Sequence, residues 1–186
     1  MRFFNVTLIA LIVGQIVMGS LMTAVAKKDD PTRVEIPDEK AVAKWLIELT
    51  GRVKVEYPID NGRRVDSFAK VELLPSVPYK IYEVDFRRTR NAGVPELKRL
   101  ATIPHIRVLW LDNTRANDAG LAHLGQMMGL RHLSLDRCNV TDVGLKELRH
   151  LHLHSIGLAA TRITDAGVAH LKNMEDITQL RLDDTS

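Results

Sequence analysis

The sequence predicts an α/β solenoid, with short parallel strands on its concave face, short helices on its convex face and a helix-and-strand cap at its N-terminal end. Two repeated motifs and the composition lead there. An apolar-x-apolar-x-x-Thr/Cys segment recurs five times at nearly constant spacing, and a second motif recurs three times in phase with it. Of the 186 residues, 45% are hydrophobic but only 5% aromatic, so leucine and valine must fill repeated thin layers.

The first 26 residues differ in composition from the rest. Arg2 supplies a short positive start, an apolar run extends from Phe3 to Met22, and Ala24-Val25-Ala26 has the small-x-small pattern of a signal-peptidase site. The chain is thereby addressed for export, to a periplasm, a cell surface or the medium. Cleavage would leave residues 27–186 as the mature protein; the alternative is an uncleaved membrane anchor, because the run approaches the roughly 20 residues that span a bilayer. Asn5, Thr7, Gln15 and Ser20 make a poor permanent span and favour cleavage. Residues 27–37 read as a flexible polar tether. With Cys138 as the only cysteine, no intramolecular disulfide can form, and packing must hold the fold.

Residues 38–80 read as the cap. Asp38 can cap a helix over Glu39 to Leu49, whose Val42, Trp45, Leu46 and Leu49 share one face, and Gly51 ends it. Arg52 to Tyr57 alternates as a strand does, Asp60-Asn61-Gly62 is a turn signal, and Leu73 to Pro78 is an irregular link. Helix and strand together would cover the apolar end of the first repeat.

From Ile81 onward the strand segments are Tyr82 to Thr89, Val108 to Thr114, His132 to Cys138, Ser155 to Thr161 and Gln179 to Thr185. Leu109 to Leu133 is 24 residues, Leu133 to Ile156 is 23 and Ile156 to Leu180 is 24. Between them, Asn117-Asp118-Ala-Gly120-Leu121, Thr141-Asp142-Val-Gly144-Leu145 and Thr164-Asp165-Ala-Gly167-Val168 lengthen the apolar period from two to about three and a half, the mark of a helix. Asp118, Asp142 and Asp165 are read as helix-start carboxylates, favoured by the positive end of the helix. The glycines allow close approach to the neighbouring helix.

These motifs resemble the leucine-rich-repeat family, in particular its cysteine-containing sub-class known from F-box-associated repeats and exported bacterial proteins. The resemblance covers Ile81 to Ser186. It implies a stacked ladder at the Thr/Cys position, threonine in four of five repeats, with each hydroxyl bonded to the neighbouring coil and Cys138 buried. It also implies a concave sheet that binds partners. The last repeat stops after its strand without its helix; that edge would pair with a partner or a second copy, or the chain is shortened relative to longer proteins.

Side chains between and just after the apolar strand positions must point outward. One such row is Asp85, Trp110, Ser134, Gly157 and Arg181; the next is Arg87, Asp112, Asp136, Ala159 and Asp183. The polar and charged members and Trp110 are the candidate binding residues, Trp110 foremost, since a tryptophan facing outward in a polar row is unusual. The competing reading is a tryptophan merely packed on its neighbours.

No catalytic constellation is present: the sequence holds no nucleophile elbow, no phosphate-cradling glycine loop and no zinc-protease motif. His150, His152 and His154 alternate, but they straddle a helix-to-strand junction with no cysteine near, so neither a metal nor another cofactor is expected. A net charge of +3 with interspersed signs, and arginines at 63, 64, 87, 88 and 90 without stacking aromatics, argue against nucleic acid. The function expected is an exported, non-enzymatic binding or scaffold module for a protein partner. The alternative is a structural unit that self-associates, or joins an envelope complex, through its C-terminal edge.

Overall fold

The computed structural model describes residues 38–87, 89 and 92–185. The export signal and tether read from residues 1–37, and Arg88 and Arg90 of the basic patch, lie outside the described residues. Among the described residues no helix is long and apolar enough to cross a membrane.

Helix α1 (Glu39–Thr50) starts where Asp38 accepts a hydrogen bond from the Lys40 amide and ends at Gly51, whose φ of 82° only glycine adopts without strain. Its Val42, Ala43 and Leu46 are buried. Strands β1 (Val53–Ile59) and β2 (Gly62–Phe68) form an antiparallel hairpin, and β1 also pairs antiparallel with β3 (Lys80–Asp85). The cap therefore holds two strands where the sequence suggested one. Strand β2 went unread because its side chains are mostly exposed and its Arg63, Arg64 and Asp66 lack an apolar alternation, a composition that suits an edge.

The repeats follow as strand, turn and short helix: α2 (Val94–Leu100), β4 (Val108–Trp110), α3 (Asp118–Leu124), β5 (His132–Ser134), α4 (Asp142–Glu147), β6 (Ser155–Gly157), α5 (Asp165–Val168) and β7 (Gln179–Arg181). All seven strands make one sheet in the order β2-β1-β3-β4-β5-β6-β7, parallel from β3 onward. The ladder outruns the strands, since Asn113, Arg137 and Ala160 donate their amides to the carbonyls of Asp136, Ala159 and Asp183 on the next coil. Each of these donors sits at positive φ, 57°, 59° and 52°. The left-handed turn that closes these three coils is thus built without glycine, its strain offset by an inter-coil hydrogen bond.

Between sheet and helices lies a continuous core of thin layers, among them Val84, Phe86, Leu109, Leu111, Leu133, Leu135, Ile156 and Leu158. Four helices line it, one more than the motif repeats indicated. Helix α2 starts at Gly93, where the Glu96 carboxylate accepts the Gly93 amide at 2.9 Å, so the polar-residue cap of the other repeats is missing there.

One local reading is extended and two change. Of the Asn, Thr or Asp expected at each helix start, Asn117, Thr141 and Thr164 are the caps of α3, α4 and α5, with Asp118, Asp142 and Asp165 in the first turns. Two of these carboxylates also reach the next coil: Asp118 accepts the amide and hydroxyl of Thr141 at 2.8 and 2.7 Å, and Asp142 those of Thr164 at 2.9 and 2.7 Å. In the Thr/Cys ladder, Thr89, Thr114, Thr161 and Thr185 donate to carbonyls three residues back in their own coil. Cys138 does reach across, its Sγ 3.0 Å from the Leu111 carbonyl oxygen. The Cys138 Sγ also lies 3.7 Å from the Thr114 hydroxyl, so at this step of the ladder threonine and cysteine do meet across coils. Finally, the outward position of Gly157 is not open: a Cβ there would come within 2.8 Å of both Ser134 Oγ and Asp136 Oδ1.

Candidate functional site

The sheet face opposite the helices carries the residues the sequence singles out. Strand pairing sets Asp85, Trp110, Ser134, Gly157 and Arg181 side by side as one row. Beside it runs a row that sequence reasoning passed over: Glu83, Val108, His132, Ser155 and Gln179. The same period-two alternation, taken one step earlier in each strand, would have found it.

Trp110 is half-buried rather than free. Its indole Nε1 donates to Glu83 Oε1 at 3.0 Å, and the Arg87 guanidinium lies 4.8 Å from the ring centroid. Glu83 in turn accepts from Lys54 Nζ of β1 at 2.8 Å, so the cap strand helps to orient the tryptophan. Both readings of this residue therefore hold in part: it stands on the outward face, and its neighbours clamp it.

The charged row is knitted along the stack. Arg87 pairs with Asp85 at 2.8 Å and lies 3.9 Å from Asp112; the hydrogen bonds the guanidinium donates to Asp85 push its pKa further up, keeping it charged. Asp112 accepts from the Ser134 hydroxyl and from the Asp136 amide. Asp136 accepts from the Ala159 amide at 2.9 Å and from Arg181 Nη1 at 2.9 Å, and Arg181 also donates to Asp183 at 3.1 Å. The Asp183 bond, first among several carboxylate contacts, raises the Arg181 pKa. Asp112 and Asp136 are thus backbone staples between coils as well as surface charges. Ala159 adds only its backbone to this row.

A hollow of about 490 Å³ lies over β4 to β7, walled by Trp110 and Arg181 and floored by Ser134 and Gly157. Gly157 lies in its lining with Ser134 and Asp136 crowding the place of a side chain, and the size falls in the range of ligand clefts.

The histidine run is dispersed. His152 Nδ1 lies 2.8 Å from Asp176 Oδ2, whereas His154 packs edge-on against His132 with centroids 6.0 Å apart. Among the described residues no group of three or more His, Cys, Asp or Glu side chains is placed to hold a metal ion. Burial pushes the Cys138 thiol pKa up, away from the thiolate a nucleophile needs.

One short parallel strand per coil of 23 to 25 residues, a left-handed closing turn and a short helix behind define a leucine-rich-repeat-like solenoid. No family model and no curated protein sequence matches the chain. Among solved structures, an internalin of Listeria monocytogenes str. 4b F2365 is similar in backbone path, with a TM-score of 0.44 and 15% sequence identity. The match covers 57% of this chain and 36% of the internalin chain.

Proposed function

We propose that this chain is an exported, non-enzymatic binding module that recognises a protein partner through the outward face of its sheet, using Asp85, Arg87, Trp110, Asp112, Ser134, Asp136, Arg181 and Asp183. The observation that carries this reading is Trp110, an indole held out of the sheet by Glu83 and Arg87 beside the 490 Å³ hollow. Rigid, pre-oriented aromatics are the residues around which protein interfaces concentrate their binding energy. The non-enzymatic part rests on the face's carboxylates being engaged in pairing and stapling coils. Cys138, bonded across coils, supports assignment to the cysteine-containing repeat sub-class.

A photocrosslinking residue at Ser155, in the outward rows, tests it in the native cells, with the same residue at Val143, 68% exposed on α4, as control. Discrete protein adducts from position 155 and not from 143 are expected. Equal adducts from both, or none from 155, would overturn the reading. Export is tested separately by N-terminal sequencing, for which Lys27 is the expected first residue.

A further inference from the structure

The three outward rows of β3 to β7 hold five carboxylates, Glu83, Asp85, Asp112, Asp136 and Asp183, against two guanidiniums, Arg87 and Arg181. Lys54 reaches in from β1 to neutralise Glu83. The whole chain is net positive at +3, so the face runs opposite in sign to the molecule that carries it. Both guanidiniums are already held between two carboxylates, Arg87 by Asp85 and Asp112, Arg181 by Asp136 and Asp183. An incoming carboxylate would therefore meet acids without an uncommitted guanidinium in these rows. An incoming base meets Asp136 and the indole of Trp110 in the lining of the hollow, with Asp183, 71% exposed, next to them through the Arg181 that both aspartates share. The molecule already shows the geometry such a base would adopt, because Arg87 lies over the same indole while paired to carboxylates.

We propose that the hollow between Trp110 and Arg181 takes an arginine or lysine side chain of the protein partner, stacked on the indole and paired with Asp136 and Asp183. This rests on the sheet face being the binding surface and names what it selects. Ion pairs at such a rim set partner choice and association rate more than affinity, while the aromatic contact supplies the anchor. An acidic side chain would be repelled by the carboxylates that flank the hollow.

The test uses the full chain and three fluorescein-labelled nine-residue peptides, identical glycine frameworks bearing arginine, glutamate or serine, followed by anisotropy. The arginine peptide is expected to bind and the glutamate peptide not. Trp110→Ala should weaken arginine-peptide binding by roughly tenfold or more. Asp183→Asn, at an exposed residue bonded only to Arg181, should weaken it several-fold while leaving the melting temperature unchanged. Raising the salt to about 0.5 M should weaken it further, as screening shortens the reach of the carboxylates. Preference for the glutamate peptide, binding that neither variant diminishes, or no binding of the arginine peptide would each overturn the proposal. The sheet-face reading would fail independently, through the adduct pattern at position 155.

Discussion

Two glycines with the same apparent freedom face different neighbours. A Cβ on Gly144 would lie 2.9 Å from the Cα of Asp118, backbone that cannot move without shifting α3, whereas on Gly157 it would press on the tips of Ser134 and Asp136. Gly144→Val should therefore cost several kcal/mol and Gly157→Val about 1–3 kcal/mol, the range of ordinary overpacking. Thermal melts of the two variants compare them directly, and equal losses would contradict the geometry. Ala160 offers the converse case. At φ 52° its Cβ crowds the backbone, so Ala160→Gly should gain roughly 0.5–1 kcal/mol after the extra flexibility of unfolded glycine is subtracted. A melting temperature higher by about 2–4 °C is the expected readout.

At the scale of one strand, β4 separates fold from recognition. Leu111 is fully buried, and Leu111→Ala should cost roughly 2–5 kcal/mol through the cavity it leaves. Trp110→Ala loses one hydrogen bond and one cation–π contact at a half-buried site, so it should melt later than Leu111→Ala yet lose partner capture first. If both melt equally early, Trp110 is a core residue. The inter-coil staples act at the same scale. The Thr164 amide and hydroxyl hold the Asp142 carboxylate below the usual carboxylate range. A pKa lowered by folding means that this stability is present above the unfolded value, near 3.8, and is lost as pH falls through the lower folded one. The melting-temperature difference between the parent and Asp142→Ala should accordingly be constant near neutrality and shrink below pH 4. A difference that persists into stronger acid would mean the carboxylate charge plays no part.

How legible such elements are in the sequence depends on what selected their residues. The strand period was legible because Leu109, Leu133, Ile156 and Leu180 answer a single demand, burial or pairing at one register position. Asp118 and Asp142 lie in the first turns of their helices as read, but their bonds to the next coil were hidden, because a carboxylate at a helix start can satisfy two demands with one pattern in sequence. Helix α2 lacked the polar cap that marked its siblings, and β2 is held by backbone pairing to β1 rather than by an apolar face. Of the candidate site, the outward rows followed from alternation, but Glu83 and Lys54, which orient Trp110, depend on a β1–β3 pairing that no local pattern announces.

Across the molecule, stability passes from coil to coil, so the cap governs more than its own residues. Leu46, Val42 and Ala43 of α1 join the same core as the repeats, and Glu39 accepts the Ile81 amide at 3.1 Å. Leu46→Ala should lower the melting temperature of the whole chain in one transition, because an uncovered first layer lets water reach the layers behind it. In a Trp45→Phe background, circular dichroism for the helices and Trp110 fluorescence for the sheet should report coincident midpoints. An early, separate loss of helix signal would show the cap folding on its own account.

The carboxylate staples also give the stack a direction. Asp118 of one coil holds Thr141 of the next, and Asp142 repeats the gesture toward Thr164, so each of these two joints has an acceptor on its leading side and a donor on its trailing side. Such a joint is heterologous, like the head-to-tail contact of a filament, and it reads the same at each step. A second copy of residues 118–141, spliced in after Thr141, would find its donor and its acceptor both waiting, whereas a coil entered backwards would meet like against like. Length is therefore the one dimension this architecture can change without new chemistry, and the outward face widens by one strand each time it does.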